Sequence, residues 1–307
     1  VIGFKLFTYN PLDGLNPEDL NLLTKVFKIL KKEEIPLAIH AESGKVLFET
    51  AATMSKKELD NPERYPEMRP PRAETEIVKK VIEVIRKVRN PVHLCHLSTK
   101  KSIEMVREAK EMGMPITCEV TPHHLLLTKS QMRRLGSKGM VNPPLRSRED
   151  ILGLWEGVLD GTVDILASDH APHERSEKES ESVTGVPPGF SGIETLASIM
   201  LTQVIMGRMN LDRFVRMTST APVEILGLGR RGRLKKDYHA DLAIVDPKEE
   251  GRIDPSKFES KARHSPFEGY ATKGKVTATI VNGQVVMNEG EIVAAKAIGK
   301  ILRKGQL

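Results

Sequence analysis

Apolar residues come in short runs along this chain, and most runs end abruptly in a polar cluster. Residues 1–8, Val-Ile-Gly-Phe-Lys-Leu-Phe-Thr, alternate as a buried strand does and stop at the turn formers Tyr-Asn-Pro-Leu-Asp-Gly. Behind Asn16-Pro17-Glu18-Asp19, a helix-start signature, Leu20, Leu23, Val26, Phe27 and Leu30 recur at helical spacing. The same reasoning predicts strands at 36–40, 91–96, 115–120 and 165–167, and helices at 73–89, 102–112, about 150–159 and about 193–206. Residues 42–71 carry no period and read as polar and irregular.

Five alternations of strand and helix predict an α/β fold with a parallel sheet and helical crossovers. Polar residues fall repeatedly at strand C-termini, the active-site face of a (β/α)8 TIM-type barrel. A doubly wound sheet is the rival, but no Gly-rich phosphate loop follows any strand. Five units are too few to close eight strands, and the chain opens in mid-strand. Both features predict that N-terminal residues are missing from this chain. After Pro222 the pattern changes to short alternating segments, 240–245 and 276–281, with Asn282-Gly283 as a hairpin turn. The expected division is therefore a barrel portion over 1–232 and a small β-rich, sandwich-like domain over 233–307.

Composition narrows the function classes. Lys and Arg exceed Asp and Glu by 47 to 41, a net +6 over 307 residues, and the charges are interspersed. No basic tract with interleaved aromatics occurs, which argues against nucleic-acid binding. Two cysteines do not make a disulfide framework and fit a reducing cytoplasm. No apolar run reaches eighteen residues, so no membrane span is predicted.

Four predicted strand ends carry groups able to bind a metal: Lys5, His40, His96 and Asp169. Asp169 ends the apolar run 165–167 with His170 and His173 close behind. A carboxylate there can bind a metal, accept a proton from bound water, do both, or merely cap a helix. Imidazole and carboxylate together suit zinc, whose catalytic sites leave a position open for water. Lys5 lies between Phe4 and Leu6, where an unpaired ammonium is costly. Carboxylation to a carbamate is one way to remove that cost.

The segments His40-Ala41-Glu42, His93-Leu94-Cys95-His96-Leu97-Ser98-Thr99, Glu119-Val120-Thr121-Pro122-His123-His124-Leu125 and Asn142-Pro143-Pro144-Leu145-Arg146 carry a family likeness. So do Asp169-His170-Ala171-Pro172-His173 and Pro187-Pro188-Gly189-Phe190-Ser191-Gly192-Ile193-Glu194-Thr195. Together, in this order, they resemble the dihydroorotases of the amidohydrolase superfamily, from residue 1 to about 290. The resemblance implies a barrel with two zinc ions and reversible cyclisation of N-carbamoyl-L-aspartate to L-dihydroorotate and water. It implies that Lys5 is a carboxylated bridging lysine and that His40 and His96 hold one zinc. Asp169 would hold the other zinc and shuttle the proton. Asn142, His173 and the backbone at Pro188 and Gly189 would hold the substrate. A homodimer and association with aspartate transcarbamoylase are the partners it admits.

The chain departs from the family in one respect: no His-x-His occurs anywhere in it, nor the Arg that follows closely. Weak zinc binding and poor turnover are therefore expected of this polypeptide alone. Asp13 is the alternative bridge, with Lys5 preferred for its flanks. Cys95 and Glu119 match a further metal site proposed in some members, but Cys95 and His96 alternate faces on a regular strand, so Cys95 reads as core. His93 reads as structural, and His123 and His124 as loop hydrogen-bonding groups or partners of a ligand. The charged segment 174–186 reads as a mobile loop or an exposed linker. The rival readings are a hydantoinase or allantoinase, and a non-catalytic dihydroorotase-like subunit.

Overall fold

The computed structural model describes residues 2–11, 14–33 and 35–302. Packing groups them into two compact units, Gly3–Gly192 with Phe258–Pro266, and Ile193–Lys257 with the stretch from Phe267 onward.

The first unit carries a five-stranded, wholly parallel sheet whose strands lie in sequence order. They are β1 (Phe4–Phe7), β2 (Leu37–His40), β3 (Val92–Leu94), β4 (Ile116–Val120) and β5 (Ile165–Leu166). Parallel neighbours joined by helices, each next to its predecessor, are the order and direction a (β/α) barrel requires. Capping residues set where the crossover helices start. Asp19 caps Leu20–Lys32 by accepting from the Leu22 amide at 2.8 Å, so this helix begins beyond the Asn-Pro pair expected to start it. Thr99 caps Lys100–Glu111, and Ser147 with Asp150 forms a capping box on Arg148–Asp160. The helix Pro71–Val88 buries Ile77, Val78, Val81, Val84 and Ile85, the stripe its spacing predicts.

Two expectations are corrected here. Residues 42–71 are not irregular: Gly44–Ala52 is a helix capped by Ser43, and short helical turns follow. The apolar residues Val46, Leu47 and Phe48 stand side by side, which hides the helical period, and Phe48 is 77% exposed. Strand β1 is not buried either, since Phe4 is 49% and Phe7 40% exposed. It is the edge of the described sheet and pairs with β2 alone. Lys5 is accordingly exposed, its Nζ 4.9 Å from the centre of the Phe7 ring.

The second unit carries an antiparallel sheet of β6 (Leu242–Arg252), β7 (Ala271–Val281), β8 (Gln284–Asn288) and β9 (Glu291–Ile292). Asn282 and Gly283, both at positive φ (49° and 78°), make the two-residue turn between β7 and β8. The helix Ile193–Ile205 packs on β7. Thr202 Oγ1 exchanges hydrogen bonds with the Lys273 backbone, and a Cβ on Gly274 would meet Ile205 and Leu201 at 2.9 and 3.3 Å. The structure thus groups this helix with the β-rich unit, whereas the chain order had grouped it with the barrel.

Candidate metal centre

Sheet register and the bonds that extend it fix where the candidate ligands stand on or leave their strands. His40 is the last residue of β2 and lies opposite Phe7, so Lys5 sits two positions earlier on β1. The Cys95 amide continues the β3 ladder to Ile39 O, and the Leu97 amide bonds Glu119 O, which holds His96 at the end of β3. The Ala167 amide bonds Val120 O, and Asp169 follows two residues later. His96 and Asp169 leave their strands with positive φ, 35° and 44°, a conformation that L residues rarely adopt and that concentrates at functional sites.

His40 and His96 come together. Nδ1 of His40 faces Nε2 of His96 at 3.1 Å, and both side chains are buried. Two imidazole nitrogens on one tetrahedral zinc would stand about 3.3 Å apart, from the usual Zn–N length. The pair therefore fits a shared ion. Burial, with the neighbouring His40 and Lys5 adding to it, holds the His96 ring well below its usual range, in the neutral form that ligates. Nδ1 of His96 is buried with no partner among the described residues.

The outer face of His40 is set by Glu42, whose Oε2 lies 2.6 Å from Nε2. Glu42 is fully buried and takes a two-pronged contact from Arg69, Nε to Oε1 at 3.1 Å and Nη2 to Oε2 at 2.5 Å. Burial opposes its charge, but the Arg69 guanidinium and His40 hold the carboxyl down to about 2. An ionised carboxylate behind an imidazole fixes its tautomer and leaves Nδ1 as the free face. Thr8 locks this turn from β1, donating to His40 O and Glu42 O at 2.9 and 2.7 Å.

Among the described residues no group of three or more His, Cys, Asp and Glu side chains converges to hold an ion. The carboxyl of Asp169 is raised by burial, with the Lys5 ammonium pulling it back and Glu119 pushing it up, so these groups share one electrostatic neighbourhood. Asp13 lies outside the described residues.

The candidate substrate groups lie on three loops. Tyr65 donates to Asn142 Oδ1 at 2.6 Å, which leaves the Asn142 NH2 as a donor. The Gly189 amide bonds Met140 O at 2.9 Å. Gly189 has φ 144°, and a Cβ there would lie 2.6 and 2.7 Å from Ala171 Cβ and O. Pro188 precedes it, and the next residue, Phe190, accepts from the Ala171 amide at 2.9 Å. His173 is half-buried, with its carbonyl 3.0 Å from His264 Nε2.

His93 and His124 have local partners, whereas the buried Nε2 of His123 has none among the described residues. His93 contacts Thr117 Oγ1 and Glu119 Oε2, while Glu119 Oε1 accepts from the His96 amide. His124 bridges Thr121 and Pro143 O. Burial pushes the Cys95 thiol up to about 12, far from a ligating thiolate. Segment 174–186 is anchored: it contains the turn Arg175–Lys178, and Lys178 is fully buried. Glu42 follows His40 by two residues, and that spacing was the available signal. Nothing in the sequence marked Arg69 or Tyr65.

Comparison with known proteins defines the class. The chain belongs to the amidohydrolase family, which it matches over residues 16–286. It is 38% identical over 293 residues to the dihydroorotase of Methanothermobacter thermautotrophicus, covering 95% of this chain and 64% of that protein. Against the dihydroorotase of Staphylococcus epidermidis it is 36% identical over 280 residues, 90% of this chain and again 64% of the relative. Among solved structures it resembles L-hydantoinase (dihydropyrimidinase) from Arthrobacter aurescens, with TM-score 0.88 and 28% identity over 95% of this chain and 66% of that one. D-hydantoinase (dihydropyrimidinase) from Thermus sp. gives TM-score 0.89 and 26% identity, over 97% and 66%. The chain thus spans 64% of the length of these curated relatives.

Proposed function

We propose that this chain carries the C-terminal part of a dihydroorotase active site, for reversible cyclisation of N-carbamoyl-L-aspartate to L-dihydroorotate and water in pyrimidine biosynthesis. One observation carries the reading: two buried imidazoles from adjacent strand ends face each other at 3.1 Å, in a chain whose relatives of this name match over nine-tenths of its length. His40 and His96 would hold one zinc, and Asp169 with a carboxylated Lys5 the other. When bound, the zinc pair would lower the pKa of water and polarise the amide carbonyl. Asp169 would take the proton from the nucleophile and return it to the ring nitrogen as the amide opens, with the reverse transfer on closure. Asn142, His173 and the backbone at Pro188 and Gly189 would orient the anionic substrate. A cytoplasmic location, a homodimer and association with aspartate transcarbamoylase belong to the same reading.

The likeness to hydantoinase structures supports a second reading, a cyclic amidohydrolase acting on hydantoins. The test is to load the purified chain with zinc and offer L-dihydroorotate, N-carbamoyl-L-aspartate, hydantoin and allantoin in parallel, scoring both binding and turnover. Recognition of the first two supports the dihydroorotase reading. Selective recognition of hydantoin or allantoin would sink it.

A further inference from the structure

Lys178 is fully buried inside a run, Glu174-Arg175-Ser176-Glu177-Lys178-Glu179, whose other members are exposed. Its Nζ donates to Met140 O at 3.0 Å and to Pro187 O at 2.9 Å, and lies 5.9 Å from the centre of the Phe190 ring. Burial is the one influence on its ammonium and pulls it down to about 8; no carboxylate offsets it. Burying an ammonium without a counter-charge is costly, and an apolar side chain of the same length would fill the space without that cost. The contacts it makes are therefore what distinguish it from a plug.

Those contacts meet at one point. Met140 O accepts from both Lys178 Nζ and the Gly189 amide, so a single carbonyl joins the two loops. Met140 lies two residues before Asn142, and Pro187 two before Gly189. The Ser137 hydroxyl donates to Lys178 O at 2.6 Å and accepts from the Ser180 amide at 3.1 Å, fastening the turn that carries the lysine. Gly189 is pressed against Ala171, in the loop that carries Asp169 and His173. We propose that Lys178 is a positioning residue: its ammonium ties residues 140–142 to 187–189, and thereby fixes the Asn142 side chain and the Gly189 backbone as one recognition surface for an anionic carbamoyl amino acid. The clause about substrate rests on the dihydroorotase reading; the tie between the loops does not.

The experiment uses the whole chain with Lys178→Met, which keeps the length and removes the charge and the donors. Amide hydrogen exchange at Gly189 is read against the Cys95 amide in the sheet, and binding of N-carbamoyl-L-aspartate is read by calorimetry. In the variant, Gly189 should exchange at least about tenfold faster relative to Cys95, and the ligand should bind about tenfold more weakly, as expected for charge-assisted hydrogen bonds removed from a buried site. Should the Met variant not fold, Lys178→Gln takes its place with the same readings. Unchanged protection at Gly189 overturns the proposal. Loss of a cooperative melting transition in both variants overturns it too, because Lys178 would then support the whole unit and not these loops. Failure of the unmodified chain to bind N-carbamoyl-L-aspartate counts against the dihydroorotase reading, and the exchange result still decides the tie.

Discussion

Nδ1 of His40 and Nε2 of His96 stand 3.1 Å apart although 56 residues separate them in the chain, and the free edge of each ring is set by a different device. His40 is held from behind by Glu42. His96 is held through its backbone, by Glu119 at its amide and by its positive φ. A pair of nitrogens prepared in this way binds a metal with little reorganisation.

Zinc affinity should follow that pair. His96→Ala removes a ligand and should weaken zinc binding by more than Glu42→Gln does. Glu42→Gln keeps both imidazoles but loses the carboxylate behind His40, and should cost about 10–100-fold in affinity. Competition titration with a chromogenic chelator measures both. Equal affinity in the unmodified chain and His96→Ala would show that zinc binds elsewhere.

The turn after His96 rests on a buried carboxylate. Glu74 accepts from the Ser98 amide and hydroxyl at 3.0 and 2.5 Å and from the Thr99 amide and hydroxyl at 3.1 and 2.7 Å. Arg146 reaches the same Ser98 hydroxyl at 3.0 Å. Glu74→Ala strands four donors and a buried guanidinium, and should destabilise by about 3 kcal/mol or more. Urea unfolding monitored at Trp155 provides the measurement. A change below about 1 kcal/mol would mean that water replaces the carboxylate.

Gly189 has no room for a side chain. Gly189→Ala places a methyl carbon 2.7 Å from Ala171 O at φ 144°. Backbone strain and overpacking together predict a loss of roughly 2–4 kcal/mol at this loop. The Gly189 amide should then lose its bond to Met140 O, visible as faster hydrogen exchange, and substrate binding should fall with it.

The legible parts of this molecule were those governed by local rules. Apolar runs ending in polar residues gave the five strands, caps and stripes gave the crossover helices, and Asn282-Gly283 gave its hairpin. His40 and His96 were legible as strand-end histidines because parallel strands in sequence order must bring their C-termini to one edge. Long-range pairing was not legible. Arg69 lies in a stretch without period, and only its position across from Glu42 gives it a role. Phe4 and Lys5 read as buried because alternation reports which face a residue takes, not whether anything covers that face. Lys178 was hidden for the opposite reason: a run of charges reads as solvated, and its acceptors are backbone carbonyls, which leave no trace in side-chain identity.

Lys178 also gives stability a pH dependence whose sign is fixed. Its folded value, about 8, lies below the ordinary 10.5, so the unfolded chain binds more protons between these values. Stability therefore rises with pH across about 8 to 10.5, as the penalty for burying the ammonium is relieved. Below this window both states are protonated and the penalty is constant; above it both are neutral. A shift of this size corresponds to on the order of 3 kcal/mol over the window. His264 feels this charge, but burial holds that ring below its usual range, so it does not titrate in the window. The quantity to measure is the difference between the unmodified chain and Lys178→Met in urea unfolding at pH 7.5, 9 and 10.5. The Met variant should lack this rise, and its relative stability should decline as pH increases. Parallel curves for the two chains would show that the Lys178 ammonium is solvated in the folded state and keeps its ordinary value.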